Sequence, residues 1–283
     1  MNRKVFFRRM MKSKLFLIGL FGIIFVAAIC YASPYFIAHD PLDIDLPLRL
    51  EAPDWSLSSS GHFFGTDSLG RDVLSRLLIG GKTSLTIAIS VVIITTIIGM
   101  VLGLIAGYFG GVADLILMRI CDIMMAVPSL LLAICVIAIL GGSVLNLIIV
   151  MSIGAWVVLA RVVRSTALAI RGLEYVRAAK VLGMSDYRII FTEVLPNVVG
   201  PIIITATQAF GGMVLSEAAL SYLGLGVPPP SPSWGSMISD GRAYIASSPW
   251  VVLVPGLALM LTVLAVNFLG DGLNDILNPK NLD

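Results

Sequence analysis

The side chains suited to covalent or metal chemistry are few and poorly spaced for it. The chain has two histidines, His39 and His62, and three cysteines, Cys30, Cys121 and Cys135. No CxxC or HExxH pair is present, so the spacings that bind zinc or frame disulfides are missing. All three cysteines fall in apolar runs and read as small packing residues. Neither histidine shares an apolar run with a nucleophile, which argues against an intramembrane enzyme. Glycine pairs such as Gly141-Gly142 lack the lysine and strand context of a GxxxxGK[ST] phosphate loop and read as turns. The candidates that remain are carboxylates and cations: Glu217 inside an apolar run, Asp67, Arg71, Asp72 and Arg76 ahead of another, and a basic stretch at 161–188.

The elements that must position these groups follow from composition. Of 283 residues, 58% are hydrophobic and 13% charged, against roughly 45–50% and about 25% in a soluble domain. A bilayer core of about 30 Å needs about 20 apolar residues at 1.5 Å rise each. Six runs reach that scale: 15–37, 84–109, 115–140, 144–160, 198–219 and 250–269. Backbone amides inside lipid must be satisfied within the segment, so each run is expected to be a helix and the fold class all-α, with six transmembrane helices. The first run is too long for the apolar centre of a cleaved signal peptide and is expected to be retained as a span. A net charge of +2 excludes a strongly basic nucleic-acid binder.

The distribution of cations sets an expected orientation. Arg49, Arg71, Arg76, Lys82 and Arg242 lie on one side of the six runs, and the other fourteen of the nineteen lysines and arginines on the other side. The positive-inside rule then places both termini and the 161–197 loop in the cytoplasm. The expected division is a tail at 1–14, a first span at 15–37, an extracytoplasmic loop at 38–83, a five-helix core at 84–270 that includes the 161–197 loop, and a tail at 271–283.

Within the runs, Gly99, Gly103 and Gly107 recur every four residues, a stripe that lets another helix approach closely; the alternative is a pore lining with exposed carbonyls. Pro128 is expected to kink the third span, and Arg119 to pair with Asp122. A carboxylate such as Glu217 costs roughly 2.5–3.5 kcal/mol at mid-bilayer, so Glu217, with Ser221 a turn later, is a candidate pathway lining or outer gate; the alternative is a carboxylate solvated at the headgroups. The segment 65–76, with Asp67, Arg71, Asp72 and Arg76, is a candidate contact for an external protein, or a surface helix with internal ion pairs. Trp234 and Trp250 read as interfacial anchors.

The loop after the fourth run carries the densest pattern. Arg161, Arg164, Leu168 and Arg171 continue that helix past the membrane, and Gly172 breaks it. A short helix is expected from Glu174 to Leu182, ended by Gly183 in the left-handed conformation. Ser185 then caps a helix with an apolar stripe at Tyr187, Ile190, Phe191 and Val194, which Pro196 stops. The small Ala178 and Ala179 suit insertion into a partner's groove, while the stripe anchors the unit to the bundle. A plain amphipathic interfacial segment is the simpler alternative.

Ala178-Ala179, Gly183 and Leu195-Pro196, with their intervening lengths, resemble the EAA loop of ABC importer membrane subunits, with Arg177 where that motif has glutamate and Glu193 where it has isoleucine. Three more stretches, Gly65-Thr66-Asp67-Ser68-Leu69-Gly70-Arg71-Asp72 with Ser75-Arg76 after it, Glu217 through Gly226 to Pro232-Ser233-Trp234-Gly235, and Asn267-Phe268-Leu269-Gly270-Asp271-Gly272-Leu273-Asn274-Asp275, resemble permeases of dipeptide, oligopeptide and nickel importers. The resemblance implies a type I importer permease that forms half of a pathway for peptides, with nickel or metal chelates as the alternative cargo. It implies a second permease, two cytoplasmic ATPases and an extracytoplasmic substrate-binding protein as partners. It makes Glu174, Arg177, Ala178, Ala179, Leu182, Gly183, Leu195 and Pro196 the ATPase-docking residues. ATP and magnesium would be used by the partner ATPases, with no cofactor or metal held by this chain. A secondary transporter or channel is the rival class, and would show ionisable residues at mid-span or an inverted repeat.

Overall fold

The computed structural model describes residues 9–35, 37–55 and 61–277. Arg3, Lys4, Arg8 and Lys280, used above to orient the chain, lie outside the described residues. The described chain is almost wholly helical, in the order α1 (Lys14–Ala32), α2 (Val73–Phe109), α3 (Gly111–Ala126), α4 (Ser129–Leu140), α5 (Val144–Arg171), α6 (Glu174–Val181), α7 (Asp186–Ile189), α8 (Leu195–Tyr222), α9 (Trp234–Gly241) and α10 (Trp250–Leu277). A π-helical turn, Ile190–Val194, joins α7 to α8. Five helical segments are long and apolar enough to cross a membrane, and α3 with α4 makes a sixth when this bent pair is counted as one span.

Caps explain where several helices begin. Ser13 accepts the Phe16 amide ahead of α1, Asp72 the Ser75 amide ahead of α2, and Ser143 the Asn146 amide ahead of α5. Helix α2 starts well before the apolar run at 84: Asp72 caps it, and its first turns contain Ser75, Arg76, Gly80, Gly81 and Lys82, which lower the hydropathy there. The loop expected at 38–83 therefore ends at Asp72. Pro128 does more than kink its span: α3 and α4 meet at 85°, since proline offers no amide to the preceding turn and its ring opposes the helical path.

Pro196 does not stop a helix. The path from Asp186 to Tyr222 is one continuous 37-residue helical segment. The π turn just before the proline carries the Leu195 amide to the Ile190 carbonyl, a five-residue step, and Pro196 then occupies the first turn of α8, where its missing amide costs little.

Helices α2 and α5 form the most extensive pair in the bundle. A Cβ added at Gly99, Gly103 or Gly107 would stand 2.8, 2.6 and 2.6 Å from the carbonyl oxygens of Trp156, Ala160 and Arg164. The two four-residue ladders run in register, so the helices are parallel and their backbones touch; without a hydrophobic driving force inside lipid, such close packing is what holds spans together. Gly19 of α1 and Gly272 of α10 make a second seam of this kind. Cys30 and Cys121 are buried free thiols, whereas Cys135 is exposed on α4 and packs no core.

Trp234 is not an interfacial anchor. It is 1% exposed, seated against Gly81, with its indole N–H donating to the Leu77 carbonyl at 3.0 Å. Trp250 is half-buried and donates to the Thr66 carbonyl at 3.2 Å. Both indoles are spent inside the fold because α9 folds back onto α2 and the start of α10 onto the turn ahead of it.

Candidate functional site

At one end of the bundle, the basic residues that continue α5 tie it to its neighbours. Arg164 forks onto both oxygens of Asp114, the Nη2 contact being 2.6 Å. Arg161 reaches Asp122 at 2.5 Å, which leaves Arg119 a looser 3.9 Å contact with the same carboxylate. Arg171 donates to the Phe109 carbonyl at 3.2 Å. The fork fixes the start of α3 against α5, in the planar geometry that arginine supplies and lysine does not.

Beyond Arg171, helix α6 lies across the end of the bundle. Val176 is 3% exposed in an apolar cluster with Tyr108 of α2, Val163, Ala167 and Ile170 of α5, and Ile189, Val194 and Val198. Ala179 packs partly against this cluster, while Glu174, Arg177 and Ala178 are exposed. Gly183 has φ +81°, and Met184 donates to the Ala179 carbonyl at 3.1 Å, so α6 closes on a Schellman turn. Just ahead of that turn, Val181 and Leu182 are 87% and 86% exposed. Leu195 is half-buried and Pro196 exposed; Glu193 accepts from Thr192 Oγ1 at 3.1 Å.

The anchoring stripe differs from the expected one. Ile189, Val194 and Val198 are buried with Ile190 partly so, and Tyr187 and Phe191 face outward, their rings 4.9 Å apart. The π turn is the reason: a five-residue step from Ile189 to Val194 moves the buried face out of the ordinary helical phase.

At the opposite end, the segment expected either as a protein contact or as a surface helix is a tight turn with its charges inside. Asp67 accepts the amides of Leu69 and Arg71 at 2.8 and 3.0 Å and the Arg71 Nε at 2.7 Å. Arg76 Nε stands 3.4 Å from the same carboxylate, and both arginines reach Asp240 of α9, at 3.6 and 3.7 Å. Asp72 caps α2 and takes His62 Nδ1 at 3.0 Å. Asp67, Asp72 and Arg76 are each 4% exposed or less. Burial pushes the Asp240 carboxyl above its ordinary range, against the opposing pull of Arg76 and Arg71.

Glu217 lies at this end too, and it is 0% exposed. Ser221 Oγ donates to its Oε1 at 2.6 Å and accepts the Val227 amide at 3.3 Å. Ser84 of α2 and Ser233, the cap of α9, stand beside it, and Oε2 closes no hydrogen bond of normal geometry. A Cβ at Gly226 or Gly235 would collide with Ser221. Glu217 and Ser221 thus join α8 to α2 and α9 within packed protein; neither a headgroup-level carboxylate nor a lining one matches that position.

Between the two ends, α2, the bent pair, α5 and α8 line a half-open cavity of about 550 Å³. Thr95, Thr96, Ser129, Thr205, Gln208 and Ser216 supply its polar groups, Met124, Met125, Met151 and Met213 much of its apolar wall, and no charged side chain lines it. The sequence signal for it was a polar and small stripe on α8, at Thr205, Gln208, Gly212 and Ser216, spaced three and four apart on one face. Glu217, one residue beyond Ser216, is turned about 100° from that face.

The model of the family described as binding-protein-dependent transport system inner membrane component matches residues 99–282. That of the N-terminal TM domain of oligopeptide transport permease C matches residues 3–53. The chain is 43% identical over 274 residues to a dipeptide transport system permease protein of Alkalihalophilus pseudofirmus, covering 97% of this chain and 88% of the relative. It is 39% identical over 276 residues to a glutathione transport system permease protein of Pectobacterium atrosepticum, covering 97% and 90%. Among solved structures, a chain of the inward-facing MetNI methionine ABC transporter shares the fold, with TM-score 0.58 and 20% identity over 72% of this chain and 96% of that one. A bundle of apolar helices around an uncharged cavity, with a family model over more than half of the chain and such similar relatives over nearly all of it, establishes that the chain belongs to the binding-protein-dependent transport system inner membrane component family and is a multi-pass permease subunit of an ABC importer.

Proposed function

We propose that this permease forms half of an import pathway for peptides and is driven by ATPases that grip the region from Glu174 to Pro196. The observation that carries the docking reading is the two-faced construction of α6. One face is anchored through Val176 and Ala179, while its free end projects Val181 and Leu182 almost fully into solvent. An apolar tip on a short, rigidly anchored helix suits a groove in another protein. Arg177 and Ala178 flank that tip, and Gly183 supplies the turn that holds it out.

On this reading, two such permeases face each other and the 550 Å³ cavity is one side of the pathway. Its hydroxyl and amide groups offer donors and acceptors to a peptide backbone without fixing the charge of the side chains that pass. The names of relatives that carry dipeptides and glutathione support that cargo class. The α6 end lies in the cytoplasm, the termini with it, and the α9 end faces a substrate-binding protein outside. ATP and magnesium act on the partner ATPases, and their closure pulls on α6 and reorients the cavity. Such a motor can drive the change only by binding the loop differently in the two states.

The test is to replace Gly183 with leucine, reconstitute the assembled transporter in vesicles, and follow ATPase co-purification and ATP-coupled peptide uptake together. Loss of both is expected. Normal assembly and uptake would sink the docking reading, and uptake by the permeases without any ATPase would replace it with a secondary transporter.

A further inference from the structure

Tyr108 closes the α6 end of α2, and its ring is 4% exposed in the cluster that also buries Val176 of α6. Its hydroxyl leaves that cluster to donate to Asp186 Oδ1 at 2.6 Å, across 78 residues of chain. Asp186 is the first residue of α7, just past the Gly183 turn. The same oxygen receives the Lys180 ammonium, from the last turn of α6, at 3.2 Å. That ammonium lies 5.9 Å from the centroid of the Tyr108 ring. One carboxylate oxygen therefore gathers α2, α6 and α7. Among the described residues, no other hydrogen bond or ion pair joins α2 to the α6 and α7 unit.

What lies above Tyr108 on α2 gives this junction its consequence. Gly99, Gly103 and Gly107 hold that half of the helix in backbone contact with α5. Thr95 and Thr96, further along, line the cavity. The thirteen residues from Tyr108 to Thr95 span about 20 Å, over which a helix with an intact hydrogen-bond ladder moves as a rod. The other polar ties at this end, from Arg164 to Asp114 and from Arg171 to Phe109, link α5 to α3 and α2 and bypass α6.

We infer that Tyr108 is a positioning residue that passes motion of the docking helix to the α2 side of the cavity wall, through its hydrogen bond to Asp186, while the continuous helix from Asp186 carries it to the α8 side. This rests on the docking reading above. A network of this kind couples two sites when both bias the same moving element, here α2. Lys180 holds the carboxylate towards α6, and the tyrosine hydroxyl holds it towards α2. Removing the hydroxyl leaves the ring packed and the docking surface unchanged, so hydrolysis continues while its yield in transport falls.

The experiment uses the complete transporter in vesicles, with both permeases, the ATPases and the binding protein, and a dipeptide as cargo. Peptide uptake and ATP hydrolysis are measured on the same preparation, with ATPase co-purification as the check on docking. Tyr108→Phe is expected to co-purify its ATPases normally and hydrolyse ATP, with uptake per ATP reduced about 5-fold or more. Asp186→Asn, whose amide oxygen still accepts from the tyrosine, should keep most of the coupling, and Asp186→Ala should lose it as Tyr108→Phe does. The double variant Tyr108→Phe with Asp186→Ala should be no worse than either single change, because both cut the same link. Unchanged uptake per ATP in Tyr108→Phe, or strictly additive losses, would overturn the inference. Loss of the ATPases from Tyr108→Phe would overturn it too, since the residue would then be holding the dock rather than transmitting from it. A failure of the docking reading shows separately, in the Gly183 variant.

Discussion

The two ends of the bundle handle charge in opposite ways. At the α9 end, Asp67, Asp72 and Arg76 are buried, Arg71 nearly so, and Glu217 is fully enclosed. At the α6 end, Lys180, Asp186, Arg161 and Asp122 form their pairs with 40% or more of each side chain exposed, the Arg164–Asp114 fork is partly buried, and the apolar Val181 and Leu182 stand almost fully in solvent. Buried pairs are costly to form and costlier to break, so they fix one arrangement; exposed pairs contribute about 0–1 kcal/mol and can be exchanged. The α9 end is thus built to keep its shape, and the α6 end, on the docking reading, is the one a partner can rearrange. Motion of the protein should begin where interactions are cheap to change.

That contrast can be attacked from its strongest side first. Asp67→Ala leaves Arg71 and Arg76 buried beside each other with only Asp240 to face them, and should cost about 3–5 kcal/mol, read as thermal unfolding in detergent. A loss below about 1 kcal/mol would show that the α9 end is no more fixed than an exposed pair. Gly103→Leu drives a side chain into the Ala160 carbonyl, 2.6 Å from the first added carbon, and should cost about 1–3 kcal/mol by the same measurement. Gly183→Leu meets no atom within 4 Å, so its cost to the isolated permease is the left-handed backbone alone, about 1–2 kcal/mol.

Leu182→Asp should change unfolding by less than about 0.5 kcal/mol, because the side chain touches little, yet abolish ATPase co-purification. Equal effects on stability and assembly would erase the distinction between the two ends. The smallest effect is expected at Asp240. With its carboxyl raised by burial, the folded protein binds that proton before the unfolded chain does. Its ionised form therefore weighs against folding, and this contribution eases as pH falls through the folded value and grows as pH rises through it. Asp240→Asn should flatten that part of the stability profile over the acid range, and an unchanged slope would assign it to other groups.

Much of the local structure at 174–183 was legible because its signals are local. Gly183 ends a helix where a residue with no Cβ was needed, and the helix before it starts at Glu174, just after the break at Gly172. The stripe after it was misread at Tyr187 and Phe191, since a π turn shifts the phase and leaves no mark in composition. At 65–76 the expected internal Asp–Arg pairing is present, between Asp67 and Arg71, but it is buried in a turn rather than set on a surface helix. Alternating acids and bases look alike whether they face water or one another, and only the fold of α9 over α2 brings Asp240 to Arg71 and Arg76. Trp234 and Trp250 were assigned to the membrane surface by residue type, whereas the packing of α9 and α10 turned both inward.

The sequence by itself determined the apolar helices, the glycine face on α2, a bend at Pro128 though not its size, and the helix that ends at Gly183, because each depends on hydropathy or backbone freedom within a few residues. Only the tertiary structure decided which face of α8 lines the cavity, that Glu217 is sealed against Ser84 and Ser233, and that Tyr108 reaches Asp186. These pairings join helices far apart in the chain, and periodicity reports that a face is buried without naming the helix that buries it.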